Sequence, residues 1–242
     1  MPALQRISAY GMNESLELIS VGTLEVIGRL VDASNATLYG EVSSGAESMK
    51  VIYKPIAGER PLWDFQEGNL AHREYAAFLL SDLAGFNLVP QTVLREGPFG
   101  YGMVQQWIDI DQAVDVVEFG QSNDLQLRSL ALFDAIINNT DRKFGHLLID
   151  KNGLLQACDH GVCFHSEDKL RTVLWQFAGM ELSNEENDLL DKVGNLNLEE
   201  LLAKLLTEQE IAATRDRIAR LRLANKFPNP SDQWPAVPWP PV

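Results

Sequence analysis

Residues 139–165 read NTDRKFGHLLIDKNGLLQACDHGVCFH. Two polar clusters, Asp141 with Lys143 and His146, and Asp159 with His160 and His165, flank two short apolar runs. LLID and LLQAC around KNG predict a β-hairpin, because Asn152 and Gly153 tolerate the positive φ that a tight turn requires. A hairpin returns the chain to its starting point. Asp159 then arrives opposite Phe144 and Gly145, so Asp141, His146 and Asp159 share one end of the hairpin. Two chemistries fit such a gathering. One is a divalent-metal phosphoryl-transfer site, in which one carboxylate holds the metal and another orients the attacking hydroxyl. The other is a transition-metal site drawn from His146, Cys158, His160, Cys163 and His165. A single C-x4-C with scattered histidines matches no zinc ligand spacing, which argues against the second.

Upstream of this stretch, DLQLRSLALFDAIINN (124–139) is apolar nearly all round and predicts a buried central helix. Asn138 and Asn139 stand where they can cap that helix or order the loop after it. Nearer the start, LEVIGRLV (24–31), ATLYGEV (36–42) and MKVIYKP (49–55) predict a three-stranded antiparallel meander with turns at DASN and SSGAES. GERPLWDFQEGN reads as a loop in which Trp63 packs on its own lobe. LAHREYAAFLLSDLAG then reads as a helix stopped at Gly85. VPQTVLRE and YGMVQQWID predict two more strands around EGPFG. Downstream, Ser183 with Glu186 and Thr207 with Glu210 match the capping-box pattern of helix starts. The closing FPNPSDQWPAVPWPPV is too proline-rich for a helix and predicts an extended tail, its Trp234 and Trp239 packed on the helical part or offered to a protein partner. The implied organisation is a β-rich segment 1–107, a helical segment 108–226 and a tail 227–242.

The chain has 242 residues, 45% hydrophobic and 22% charged, with a formal net charge of −14. That balance excludes a nucleic-acid partner, since a polyanion would be repelled without a basic patch. No basic run adjoins the 139–165 motif to hold an inositol phosphate. No stretch is apolar enough for a membrane span or a signal peptide, and two cysteines, Cys158 and Cys163, suit a reducing compartment. The expected location is the cytoplasm, and both cysteines read as small buried apolar residues.

TDRKFGHLLID followed by LQACDHGVCF resembles the catalytic and metal-binding segments of the phosphatidylinositol 3-/4-kinase-like superfamily: D-R-x-x-x-N, a hairpin, then D-x-G. VIYKPIAGERPLWDF, REYAAFLL, GMVQQWID and WPAVPWPP extend the likeness to small bacterial proteins of that class. The resemblance implies an α+β, two-lobed protein-kinase-like fold with a β-rich N-lobe and a reduced, mainly helical C-lobe. It further implies an ATP-dependent phosphotransferase that moves the γ-phosphate to a hydroxyl of a protein or small-molecule acceptor. Lys54 matches the lysine on the nucleotide phosphates, and Glu74 its pairing glutamate. Asp141 matches the catalytic aspartate and Asp159 the metal-binding one. The turn DASNAT, with Ser34, Asn35 and Thr37, falls at the phosphate-covering loop. Gln105, Gln106 and Trp107 fall at the hinge that holds adenine. Two departures stand out: His146 replaces a metal-binding asparagine, which suits manganese better than magnesium, and the phosphate loop lacks a glycine cluster. They motivate two alternatives, a nucleotide-binding pseudokinase or scaffold, and an adenylyl transferase on the same fold.

Overall fold

The computed structural model describes residues 14–30, 36–65 and 67–242. Among the described residues, helix α1 (Glu14–Val21) precedes the strands β1 (Thr23–Arg29), β2 (Leu38–Ser44) and β3 (Glu47–Pro55). Helix α2 (Leu70–Leu83) follows, then β4 (Thr92–Gly97) and β5 (Gly100–Gln106). The five strands form one antiparallel sheet in the order β1-β2-β3-β5-β4, so the expected meander is extended by a second hairpin inserted beside β3. Strand β3 alternates at its end as a half-buried strand must: Val51, Tyr53 and Pro55 are buried, while Ile52 and Lys54 are partly exposed. Helix α1 lies against β2 to β5, and α2 against β4 and β5.

The second half is helical: α3 (Val116–Gly120), α4 (Leu125–Ile137), α5 (Asn184–Gly194), α6 (Leu198–Leu202) and α7 (Glu208–Ala224) surround the small hairpin β6 (Leu147–Ile149) and β7 (Leu155–Ala157). Leu127, Leu130, Leu132, Phe133, Ile136 and Ile137 of α4 are all 0% exposed, which makes α4 the central pillar. Burying a side chain of this size contributes about 1.5–3 kcal/mol. Helix α7 packs on α4, α5 and α6. Both capping boxes form, Ser183 with Glu186 and Thr207 with Glu210. The architecture is α+β, with an antiparallel β-rich lobe followed by a reduced helical one.

Helices α1, α3 and α6 went unread in the sequence because eight and five residues are too few for a 3.6-residue period to show. The β6–β7 turn also differs from expectation. Gly153 takes a positive φ of 76°, while Asn152 stays in the ordinary region. The Asp150 carboxylate accepts from the backbone N–H groups of Asn152 and Leu154, and Gly153 N–H donates to the Asp150 carbonyl. Asp150 therefore organises a longer turn. The tail lies along the loops after α4: the Ala236 carbonyl accepts from Thr172 N–H and Trp175 Nε1, and the Pro241 carbonyl accepts from Phe144 N–H. Trp234 is half-buried and Trp239 is 86% exposed. No helix among the described residues is long and apolar enough to cross a membrane.

Candidate active site

Lys54 sits next to last on β3, where Gly102 of the neighbouring strand lies across from Pro55. A Cβ on Gly102 would come within 2.4 Å of the Lys54 carbonyl, so this close approach requires glycine. The Lys54 ammonium is held between two carboxylates, Glu74 Oε1 at 2.6 Å and Asp159 Oδ1 at 2.9 Å. Burial by itself would lower its pKa; the charges of Asp159 and Glu74 outweigh that and hold it above the usual lysine value.

Glu74 projects from α2, whose first turn is fixed by the Glu59 carboxylate accepting from Leu70 and Ala71 N–H. Its second oxygen accepts from His160 N–H at 2.9 Å, so one buried carboxylate positions both the lysine and the Asp159–His160–Gly161 turn. Gly161 lets that turn rest on α2, since a Cβ there would lie 3.1 Å from Leu70 Cβ. Asp159 itself takes a φ of 63°, a left-handed conformation that aspartate tolerates better than most residues. The Lys54 charge holds its carboxyl well below the usual carboxylate range.

The hairpin register places Leu147 opposite Ala157, and Cys158 N–H donates to the His146 carbonyl. The paired ladder ends at Leu147 and Ala157, and Phe144–His146 form a single 3-10 turn. His146 Nε2 stands 3.4 Å from Asp159 Oδ2. Burial lowers the His146 pKa to about 4 despite the neighbouring Asp159 charge, so the imidazole is neutral at pH 7. Its Nδ1 is buried without a hydrogen-bond partner among the described residues. Asp141 is half-buried; its N–H donates to Asn139 Oδ1, and its Oδ2 lies 3.2 Å from Lys143 Nζ. Desolvation raises its pKa, opposed by the charges of Lys143 and Arg171 and reinforced by Asp159.

Lys54, Glu74, Asp141 and Asp159 line one cavity of about 360 Å³. It is also lined by Arg60, Trp63, Lys169, Arg171 and Trp234. These were not singled out as site residues, because they come from separated segments and only folding unites them. Folding brings these cations to the same cavity as the carboxylates of Glu59, Asp64, Glu74, Asp141 and Asp159. Behind the loop, Arg142 forms a fully buried bidentate pair with Asp134, at 2.9 and 3.0 Å, and donates to His160 Nε2 and the Cys158 carbonyl. Asn139 donates to the same Asp134, while Asn138 caps α4 with a φ of 53°.

Other expected site residues stand apart. The Gln105 side chain donates to Thr92 inside the sheet, as an interior strand flanked on both sides requires. Gln106 N–H donates to the Gln91 carbonyl and Trp107 N–H to that of Lys50, so both amides are spent within the sheet. None of the three lines the cavity. Thr37 is buried, its carbonyl accepting from Leu30 N–H at the base of the turn, and Ser34 and Asn35 lie outside the described residues. Among the described residues no three His, Cys, Asp or Glu side chains converge on a cation-sized site, so the histidine–cysteine alternative is not assembled. Burial raises both cysteine thiols, Cys158 to about 12. His165 accepts from Glu167 N–H and contacts Lys169.

An antiparallel sheet bearing a lysine, a helix bearing its glutamate and two aspartates from a loop and a hairpin define a kinase-like fold. Solved structures agree: a Golgi casein kinase with Mn/ADP bound aligns over 91% of this chain and 75% of its own with a TM-score of 0.55 at 14% identity. The hydra Fam20 structure with sugar aligns over 86% of each chain with a TM-score of 0.52 at 14% identity. At that identity the likeness is one of fold. No family model matches the chain. Protein Rv2133c of Mycobacterium tuberculosis is 38% identical over 264 residues, covering 92% of this chain and 94% of that protein, and the chain belongs to the same family.

Proposed function

We propose that this protein is an atypical kinase related to the phosphatidylinositol 3-/4-kinase-like group, moving the γ-phosphate of ATP to an acceptor hydroxyl. The observation that carries the reading is Lys54, bridging Glu74 at 2.6 Å and Asp159 at 2.9 Å in a cavity that also contains Asp141. In the transfer, the acceptor oxygen bonds to the γ-phosphorus as the bond from that phosphorus to the β–γ bridging oxygen breaks. ADP leaves with the electron pair, and the hydroxyl proton passes to the Asp141 carboxylate. Lys54 would neutralise phosphate oxygens, kept charged by its two partners. Residues 1–107 would cover the nucleotide. Residues 108–226 would carry Asp141 and Asp159, and 227–242 the tail.

The residues present fit a divalent cation. Asp159 is ionised and opens onto the cavity, and Nε2 of the neutral His146 ring stands 3.4 Å from its Oδ2. Two protein donors leave the remaining positions to phosphate oxygens and water, as is usual for nucleotide-bound Mg²⁺. Imidazole favours Mn²⁺ over Mg²⁺ as the working ion. When bound, the cation would neutralise charge developing on the phosphates. Two free cysteines fit a cytoplasmic location.

The test uses γ- and α-labelled ATP with Mg²⁺ or Mn²⁺ and a lysate of small molecules and proteins. Transfer of the γ label alone, reduced at least 100-fold in Asp141→Asn, is expected on the usual contribution of a general base. Retention of the α label on a target would instead support adenylyl transfer. Metal-dependent nucleotide binding with no transfer at all would favour a scaffold.

A further inference from the structure

Lys169 and Arg171 line the cavity together with Asp141, and they are not equally occupied. Lys169 is satisfied: its ammonium lies 5.5 Å from the Trp63 ring centre and 4.6 Å from that of Trp234, with Glu167 at 3.3 Å and Asp64 at 3.8 Å. Arg171 differs. Its backbone is locked onto the Asp141 loop on both sides, with its N–H donating to the Asn139 carbonyl at 2.9 Å and its carbonyl accepting from Arg142 N–H at 3.1 Å. Its side chain lines the cavity, and its Nε is shielded from solvent yet has no hydrogen-bond partner among the described residues. Its Nη2 donates to the Val237 carbonyl at 3.5 Å. The two backbone bonds, to Asn139 and from Arg142, flank Asp141 in the chain, and Arg171 and Asp141 line the same cavity.

A shielded guanidinium N–H left unpaired costs free energy, and the planar fork is the protein group best matched to a carboxylate or phosphate. Trp63 and Trp234 give the same cavity aromatic walls, and a volume of about 360 Å³ suits a small molecule. We propose that Arg171 is a specificity-determining residue, receiving the phosphate or carboxylate group of a small hydroxyl-bearing acceptor whose hydroxyl faces Asp141. This rests on the kinase reading for the identity of the acceptor, while anion capture by Arg171 stands on the geometry alone.

The two are separated by titrating glycerol 3-phosphate, glycerate and neutral glycerol into the protein, each with and without a non-hydrolysable ATP analogue and Mn²⁺. Tryptophan fluorescence is the readout, since Trp63 and Trp234 border the site. Arg171→Gln, Arg171→Lys and Lys54→Met are compared with the parent chain, and analogue affinity is measured for each. Saturable binding of either anion but not of glycerol, weakened at least tenfold in Arg171→Gln and less in Arg171→Lys with analogue affinity unchanged, is the expected result. Binding of neither anion overturns the proposal, as does binding that survives Arg171→Gln and is lost in Lys54→Met. Failure of the analogue to bind counts against the kinase reading, and the nucleotide-free titration still decides the role of Arg171.

Discussion

Glu74 is 1% exposed and uses both carboxylate oxygens, one on Lys54 and the other on the His160 amide. Such a charge is tolerated in the interior only while it is paired. Lys54→Met therefore removes more than a phosphate contact, because it leaves Glu74 without its cation. We expect a loss of about 3–5 kcal/mol in denaturant unfolding. Adding Glu74→Gln should restore a substantial part of it, since the amide can still accept from His160 while carrying no charge. Additive losses in the double variant would show that the pair is not coupled. Lys54 and Glu74 were legible in the sequence through their family-like surroundings. The His160 contact was not, because it joins residues 86 positions apart.

The element that holds the site together is the α4–loop junction. Arg142 and Asp134 are both 0% exposed, and Asp134 also accepts from Asn139, which in turn holds the Asp141 N–H. Asp134→Ala would strand a buried guanidinium, at a cost of about 3–5 kcal/mol. For a chain of this size that corresponds to a fall of roughly 6–20 °C in Tm by calorimetry. An unchanged Tm would mean that water replaces the carboxylate. The tail is a second such device. Removing residues 234–242 frees Thr172 and Phe144 N–H, Trp175 Nε1 and one face of the Lys169 cage. Hydrogen exchange should then speed at least tenfold at Phe144 and Thr172 while α4 amides stay protected. If exchange at those two amides does not change, the tail is not a strap. The sequence indicated an extended tail through its prolines, yet where it lies depends on carbonyls that carry no residue-type signal.

At the scale of the whole molecule, pH acts through buried imidazoles: burial holds His160 well below the usual histidine value and does the same to His146. The folded pKa of His146 is near 4 and its unfolded value near 6.5, so the unfolded state binds the proton first as pH falls. The contribution is full above about pH 6.5 and is lost progressively down to about pH 4, reaching on the order of 3 kcal/mol. In His146→Asn the unfolding free energy should fall less steeply across that window, and the two curves should run parallel above it. Parallel curves throughout would place His146 in a more solvated setting. A bound nucleotide raises stability by mass action, so these curves belong to the nucleotide-free protein.

The sequence by itself determined the elements and their order where length or capping made the pattern readable. It set the three-strand meander, the buried α4 and the capped α5 and α7. It also set the return of Asp159 towards Asp141, because a hairpin's register follows from local turn chemistry and chain geometry. Only the tertiary structure decided which charges meet. Lys54 lies between Glu74 and Asp159, Gln105 turns into the sheet, and Arg171 with Trp63 and Trp234 closes one cavity with Asp141. Those pairings depend on burial and on contacts between residues far apart in the chain. Neither quantity is carried by any one residue's type or by its neighbours in sequence.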